Sequence, residues 1–241
     1  MALKRIARRS VPDEIFDQLV DDVLTGELVP GSALPAERQL AEALGVSRPT
    51  VREAVQRLAR SGLVDIRQGG STTVRDPRRY GGLELLPRLI FQGGELDHGV
   101  VRSILETRAT LGREVAVLAA RRRGADLDSA LTAAVDALAR QQDPLGRQRE
   151  ALAFWDHLVD AADSIVYRLL FNQLRGIYEP AMAALAGVMD TEVGQPDHYR
   201  ALAAAVTAGD TDTARTRAEA LLSATTEEFD DLLIRLERST P

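Results

Sequence analysis

Residues 34–73 read LPAERQLAEALGVSRPTVREAVQRLARSGLVDIRQGGSTT, and the fold of the front of the chain is decided there. Leu40, Ala41 and Leu44 place an apolar stripe on a first short helix. Gly45 supplies the turn conformation that a side chain would resist. Ser47 is a good N-cap for a second helix, and Pro49 falls in its first turn, where a missing N–H costs little. Val51, Ala54, Val55 and Leu58 then recur at helical spacing and must face the first helix. The opposite face carries Arg48, Arg52 and Gln56, with Ser47 and Thr50 near its leading end. This is a helix-turn-helix with base-capable side chains at the exposed start of its second helix.

Working outward, Leu63, Val64 and Ile66 form one short strand and Thr72, Thr73 and Val74 another, with Gln68-Gly69-Gly70 as the turn. A helix-turn-helix followed by such a hairpin is a winged helix. Winged helices also dock proteins, and exposed arginines are often only a solvated face, so the pattern by itself leaves both uses open.

The string GxxLPAERxLAxxLGVSRxTVREAxxRLxxxGLV resembles the DNA-binding domain of the GntR family of bacterial transcription regulators, nearly without gaps from Val11 to Asp76. One departure is Ala36, where many members carry a capping Ser; the lost cap costs roughly 1 kcal/mol. The resemblance implies operator contacts from Arg38, Ser47, Arg48, Pro49, Thr50 and Arg52 and from the wing pair Gln68 and Gly69. Chemistry fits those roles. Arg48 and Arg52 can bond guanine O6 and N7 in pairs, while Arg38, Ser47 and Thr50 suit phosphate oxygens.

Charge divides unevenly. Residues 1–80 hold 13 Lys/Arg against 11 Asp/Glu, and the remainder holds 17 against 25, so the net −6 hides a mildly basic front on an acidic body. Phosphate neutralisation supplies much of a DNA reader's affinity, so a front this weakly basic predicts two copies acting together. The acidic body is a poor second DNA surface. There is no cysteine, hence no disulfide and no thiolate metal site, which fits a reducing cytoplasm. Lys4, Arg5, Arg8 and Arg9 precede Asp13, Glu14 and Asp17 rather than an apolar core, so the basic start is not read as a signal peptide. No apolar run approaches membrane-spanning length, and the expectation is a cytoplasmic protein without a membrane partner.

The expected architecture is mainly α, with a winged helix-turn-helix over 10–76, a linker with a short docking helix over 77–95, and an all-α antiparallel bundle of six to seven helices over 96–238. Pro12 to Gly26 is the first helix, with Ile15, Phe16, Leu19, Val20 and Val23 inward. Asp76 to Gly82 has linker composition, Leu83 to Phe91 reads as the docking helix, and Gln92-Gly93-Gly94 marks a second break. Bundle helices are predicted near Val100–Arg122, Leu127–Gln141, Arg147–Ala161, Ser164–Gly176, Ile177–Met189, Asp197–Ala208 and Thr211–Arg238.

The strings RSILETRATLGREVAVLAARR and HYRALAAAVTAGDTDTAR resemble the FadR-like branch of the family, whose effector domain is the helical FCD type. That branch commonly holds a metal through an Asp, a His four residues later and two further histidines. The matching positions are Ala151, Trp155, His198 and Leu221, so three ligands are absent and no metal is expected; a site rearranged around His157, Asp156 and Asp160 is the alternative. Trp155 reads instead as an apolar pocket wall. Arg108 matches a position where related regulators face an arginine to the effector, so it can pair with a carboxylate or phosphate, or simply with a neighbouring acid. Asn172, Tyr178, His198, Tyr199 and Arg200 are further effector candidates.

Catalysis is not expected. Paired Glu-x-x-His motifs, a G-x-S-x-G, a P-loop and a dinucleotide fingerprint are all missing. The reading is a homodimeric repressor that binds a palindromic operator and responds to a small anionic metabolite. The missing ligands favour a fatty acyl-CoA or similar apolar anion, and a small organic acid is the alternative. Effector binding would shift the bundle and, through the linker at 76–82, respace the recognition helices.

Overall fold

The computed structural model describes residues 10–67, 71–92 and 95–239, so the wing-tip candidates Gln68 and Gly69 lie outside the described residues. Its contacts divide the chain into two compact units that meet in sequence at Asp97/His98.

The first unit opens with α1 (Val11–Thr25), started by Ser10, whose hydroxyl accepts from the Asp13 N–H while Asp13 returns to the Ser10 backbone. This reciprocal cap and Pro at the first turn fix the start, and Gly26 ends the helix in the left-handed region. Helices α2 (Glu37–Leu44) and α3 (Arg48–Arg60) follow, joined through Gly45 at φ +66°. Ala36 gives α2 no side-chain cap, but the Gln39 side chain accepts from the Ala36 N–H at 3.1 Å, so half of a capping box survives. Strands β1 (Val64–Asp65) and β2 (Thr73–Val74) pair antiparallel, Val64 opposite Val74, and Ala33 bridges to Thr73.

Ile15, Leu19, Val20 and Val23 of α1 pack on Val51, Ala54, Val55 and Leu58 of α3, with Leu34, Leu63, Val64 and Val74 closing the core. Beyond the wing, α4 (Pro77–Tyr80), a 3-10 turn (Leu83–Leu85) and α5 (Leu86–Ile90) bring the chain back to this core. Leu85 is buried in it, Leu89 packs against it, and Arg88 pairs with Asp17 and Asp21 of α1. The short ladder of β3 (Phe91–Gln92) and β4 (Glu95–Leu96) ends the unit.

The second unit is helical: α6 (His98–Arg122), α7 (Leu127–Arg140), α8 (Pro144–Ala161), α9 (Ile165–Ala181), α10 (Ala186–Val193), α11 (Pro196–Ala208) and α12 (Thr211–Ser239). Seven helices agree with the expected bundle. Polar caps set the starts of α8 and α12. Asp143 accepts from the Gly146 N–H at 2.7 Å, and Asp210 accepts from the Thr213 N–H at 3.0 Å. The two longest helices, α6 and α12, pack on one another. Ala116, Ala119 and Ala120 on the one and Ala214 and Ala218 on the other are fully buried, and side chains this small let helix axes run close. Leu131, Leu138, Phe154, Leu158, Leu202 and Leu221 fill the centre.

One predicted boundary moves. A break at Gly176/Ile177 is expected, yet α9 runs on to Ala181 and the chain turns only over 182–185. A glycine costs a helix only about 1 kcal/mol, whereas Pro180 conflicts with the carbonyl four residues before it and so ends the helix soon afterwards. Helix α9 is held only partly against the core, through Tyr167, Phe171 and Tyr178, and Ile165, Val166 and Leu169 stand 70%, 63% and 60% exposed.

Candidate nucleic-acid interface and effector core

The packing of α3 determines what it shows to solvent. With Val51, Ala54, Val55 and Leu58 turned into the core, Arg48, Arg52 and Gln56 are left on the exposed face. Ser47 caps the helix by accepting from the Thr50 N–H, and its hydroxyl lies 2.7 Å from that of Thr50. Ser47, Arg48 and Pro49 are exposed at this end, and Thr50 is half-buried. Arg48 pairs with no described residue. Arg38 on α2 is exposed and bonds Glu42 at 3.1 Å.

Arg52 is held differently. Its Nε donates to both carboxylate oxygens of Glu37 at 3.1 Å, and its Nη2 donates to Glu37 Oε2 at 2.9 Å. Hydrogen bonding to Glu37, then its charge, raises the Arg52 pKa further above its already high ordinary value. The recognition helix is also anchored at its far end. Arg57 pairs with Asp13 of α1, and its guanidinium stacks 4.5 Å from the centre of the Phe16 ring. Hydrogen bonding from Ser10, then from Arg57, holds the Asp13 carboxyl down at about 2.

In the bundle, two effector candidates, Arg108 and Tyr199, bond a residue that sequence reasoning missed, and a third, Tyr178, stands near enough to feel its charge. Glu192 of α10 is fully buried, and its oxygens accept from Arg108 Nη1 at 2.7 Å and Nη2 at 2.5 Å. The Tyr199 hydroxyl donates to Glu192 Oε1 at 2.8 Å, and the Thr225 hydroxyl donates to Oε2 at 2.7 Å. Tyr178 donates to Gln148 Oε1 at 2.6 Å, and Gln148 Nε2 donates to the Met182 carbonyl at 3.1 Å. Burial opposes the charge on Arg108, but the Glu192 carboxylate outweighs it and raises the guanidinium pKa. Burial likewise pushes both Tyr178 and Tyr199 above the ordinary phenol range.

The other candidates lie apart from this network. Trp155 is buried edge-on against Phe154, and its indole N–H has no partner among the described residues. Gly112 allows the close packing here, since a Cβ there would collide with Leu222 Cδ1 and stand 3.2 Å from the Trp155 ring. Asn172 and His198 are exposed, and Arg200 is exposed and pairs with Asp197. Arg168 pairs with both Asp156 and Asp160, the acids of the rearranged metal site. Among the described residues no three His, Asp or Glu side chains converge to hold an ion, and no helix is long and apolar enough to cross a membrane. Glu37, Gln148, Glu192 and Thr225 are the residues that sequence reasoning missed. Of these, only Glu37 carried a signal, as an acid in the first turn of α2 beside Arg38.

Comparison with known proteins gives this geometry a context. Residues 12–74 match the bacterial regulatory proteins of the gntR family, and residues 103–224 match the FCD domain. The chain is 54% identical over 222 residues to the HTH-type transcriptional regulator Mce2R of Mycobacterium tuberculosis, covering 92% of each. It is 33% identical over 169 residues to the fatty acid metabolism regulator protein of Edwardsiella ictaluri, covering 67% of this chain and 66% of that one. The fold is similar to the solved structure of Lar, which controls expression of the agr system of Listeria monocytogenes. That match has a TM-score of 0.57 at 17% identity over 94% of this chain and 100% of the other. The exposed recognition helix, the wing behind it and the helical domain after it thus belong to a GntR-family, FadR-like DNA-binding transcription regulator with an FCD effector domain, and not to an enzyme.

Proposed function

We propose that the chain is a homodimeric repressor whose bundle binds a fatty acyl-CoA or a similar apolar anion and thereby releases a palindromic operator. The observation that carries the effector class is the aligned relative named as a fatty acid metabolism regulator. Chemistry at the positions of the branch's metal ligands supports it. Ala151, Trp155 and Leu221 are apolar and buried, so they suit an acyl chain better than an ion. Arg108, beside Tyr178 and Tyr199, is the cation for the anionic end, and Glu192 is the group that such an anion would have to displace.

On the DNA side, Arg48 and Arg52 read base edges, while Arg38, Ser47 and Thr50 hold phosphates, with Pro49, Gln68 and Gly69 alongside. Two copies are needed because one basic front is so weakly charged. The exposed aliphatic face of α9 supports pairing through a second copy, since contiguous apolar surface of this kind marks interfaces.

The test is calorimetry and gel shift of the full chain with a panel of acyl-CoAs and small organic acids, on the DNA flanking its own gene. Heat and operator release with acyl-CoA alone are expected. A response to a small organic acid with no acyl-CoA heat would overturn the effector class, and a monomer in sedimentation on DNA would overturn the dimer.

A further inference from the structure

A guanidinium has five N–H donors on three edges, and Glu37 occupies one of those edges on Arg52. The carboxylate takes the Nε–H and one N–H of Nη2. The end-on edge remains, with one N–H from each terminal nitrogen pointing outward in parallel. That edge has the spacing of guanine O6 and N7. The pair also joins two elements, because Glu37 starts α2 and Arg52 lies in the second turn of α3, 15 residues further on. A carboxylate from another helix, holding the guanidinium on one edge, favours this orientation over one that reaches a neighbouring phosphate. Arg48, with no such partner, is free to reach one. Finally, Glu37 keeps 30% of its side chain exposed, so its negative charge is open to any phosphate that approaches Arg52.

We infer that Glu37 is a specificity-determining residue: it fixes Arg52 so that the end-on edge of the guanidinium reads one guanine, and its charge disfavours non-specific phosphate contact by that arginine. This rests on the reading of Arg52 as a base contact. Removing the carboxylate frees a flexible cation, which gains access to phosphate on any sequence and loses its preference for one base. The signature is therefore unusual for a damaging substitution, with binding to random duplex kept or strengthened while discrimination at a single position falls.

The test enriches a pool of randomised duplexes with the full chain, its Glu37→Gln variant and its Arg52→Ala variant, and compares the recovered motifs. Wild type is expected to recover a motif with a guanine fixed in each half-site. Glu37→Gln should recover the same motif with preference at that one position reduced roughly tenfold, the range of one bidentate contact. Its binding to unselected duplex should be unchanged or tighter, and its melting temperature unchanged. Glu37→Asp, a carboxylate one carbon shorter, should restore part of the preference. If Glu37→Gln holds that guanine as firmly as wild type while Arg52→Ala loses it, the inference about Glu37 fails and the reading of Arg52 stands. If Arg52→Ala relaxes no position, Arg52 is not a reader, and both fall.

Discussion

Two arginine–glutamate forks of nearly identical chemistry sit in the two halves of this protein, and they do opposite work. Arg52–Glu37 lies on the surface, with the arginine side chain 62% exposed. Water competes for both partners there, and such a pair adds little to folding. Arg108–Glu192 lies in the bundle, with the carboxylate fully buried and two hydroxyls completing its hydrogen bonds. A charge in that setting is tolerable only while every partner is present. The same pair of residue types therefore orients a side chain in one place and enforces one arrangement of four helices in the other. Burial makes the difference.

The comparison is broken most forcefully in the bundle. Arg108→Ala leaves an uncompensated buried carboxylate and should cost about 3–5 kcal/mol. Urea unfolding followed by the fluorescence of Trp155, the only tryptophan and a residue of this unit, measures it. Replacing both partners, Arg108→Met with Glu192→Leu, should recover most of the loss. If it does not, the network contributes more than charge balance.

The DNA-binding unit is tolerant at Glu37 but not everywhere. Gly62 adopts φ +75°, and a Cβ there would collide with the Tyr80 carbonyl oxygen. Gly62→Ala should destabilise this unit by about 3 kcal/mol, combining left-handed strain with overpacking against backbone. Thermal melting of the variant, set beside Glu37→Gln, separates a structural position from a reading one.

Within the network, Tyr199→Phe removes one donor from a buried carboxylate and should cost about 2 kcal/mol. Tyr199 and Tyr178 also set an alkaline limit. Their pKa values are raised in the folded state, so their contribution is complete below the unfolded value of about 10 and is lost as pH rises beyond it. Tyrosinate absorbance from these two should rise together with the loss of Trp155 fluorescence. Ionisation ahead of unfolding would mean that the core is open to water. The smallest effect belongs to the surface fork: Glu37→Gln should leave the urea midpoint where it is.

Most of the architecture was legible because it is local. Apolar positions at helical spacing gave each helix its inner face, and Ser47 and Pro49 marked the start of α3 that the cap then formed. The break misplaced at Gly176 shows the limit of single-residue signals, since Pro180 was the stronger terminator a turn later. The effector core was half legible. Arg108, Tyr178 and Tyr199 stand out separately in the sequence, but Glu192 sits in an unremarkable run, MDTEV, and nothing local distinguishes it from a solvent-facing acid. His198, at the position of a metal ligand in the branch, and Asn172 are both turned outward by their helices.

The helices, the winged motif and the cationic face of α3 follow from residue order alone, because periodicity, caps and glycine turns act over a few residues. Which acid each arginine meets is a matter of long-range packing. Glu37 and Arg52 are 15 residues apart and Arg108 and Glu192 are 84 apart, and no local rule spans either gap. The packing of whole helices brings those charges together, and the water it excludes or admits fixes what each pair is worth.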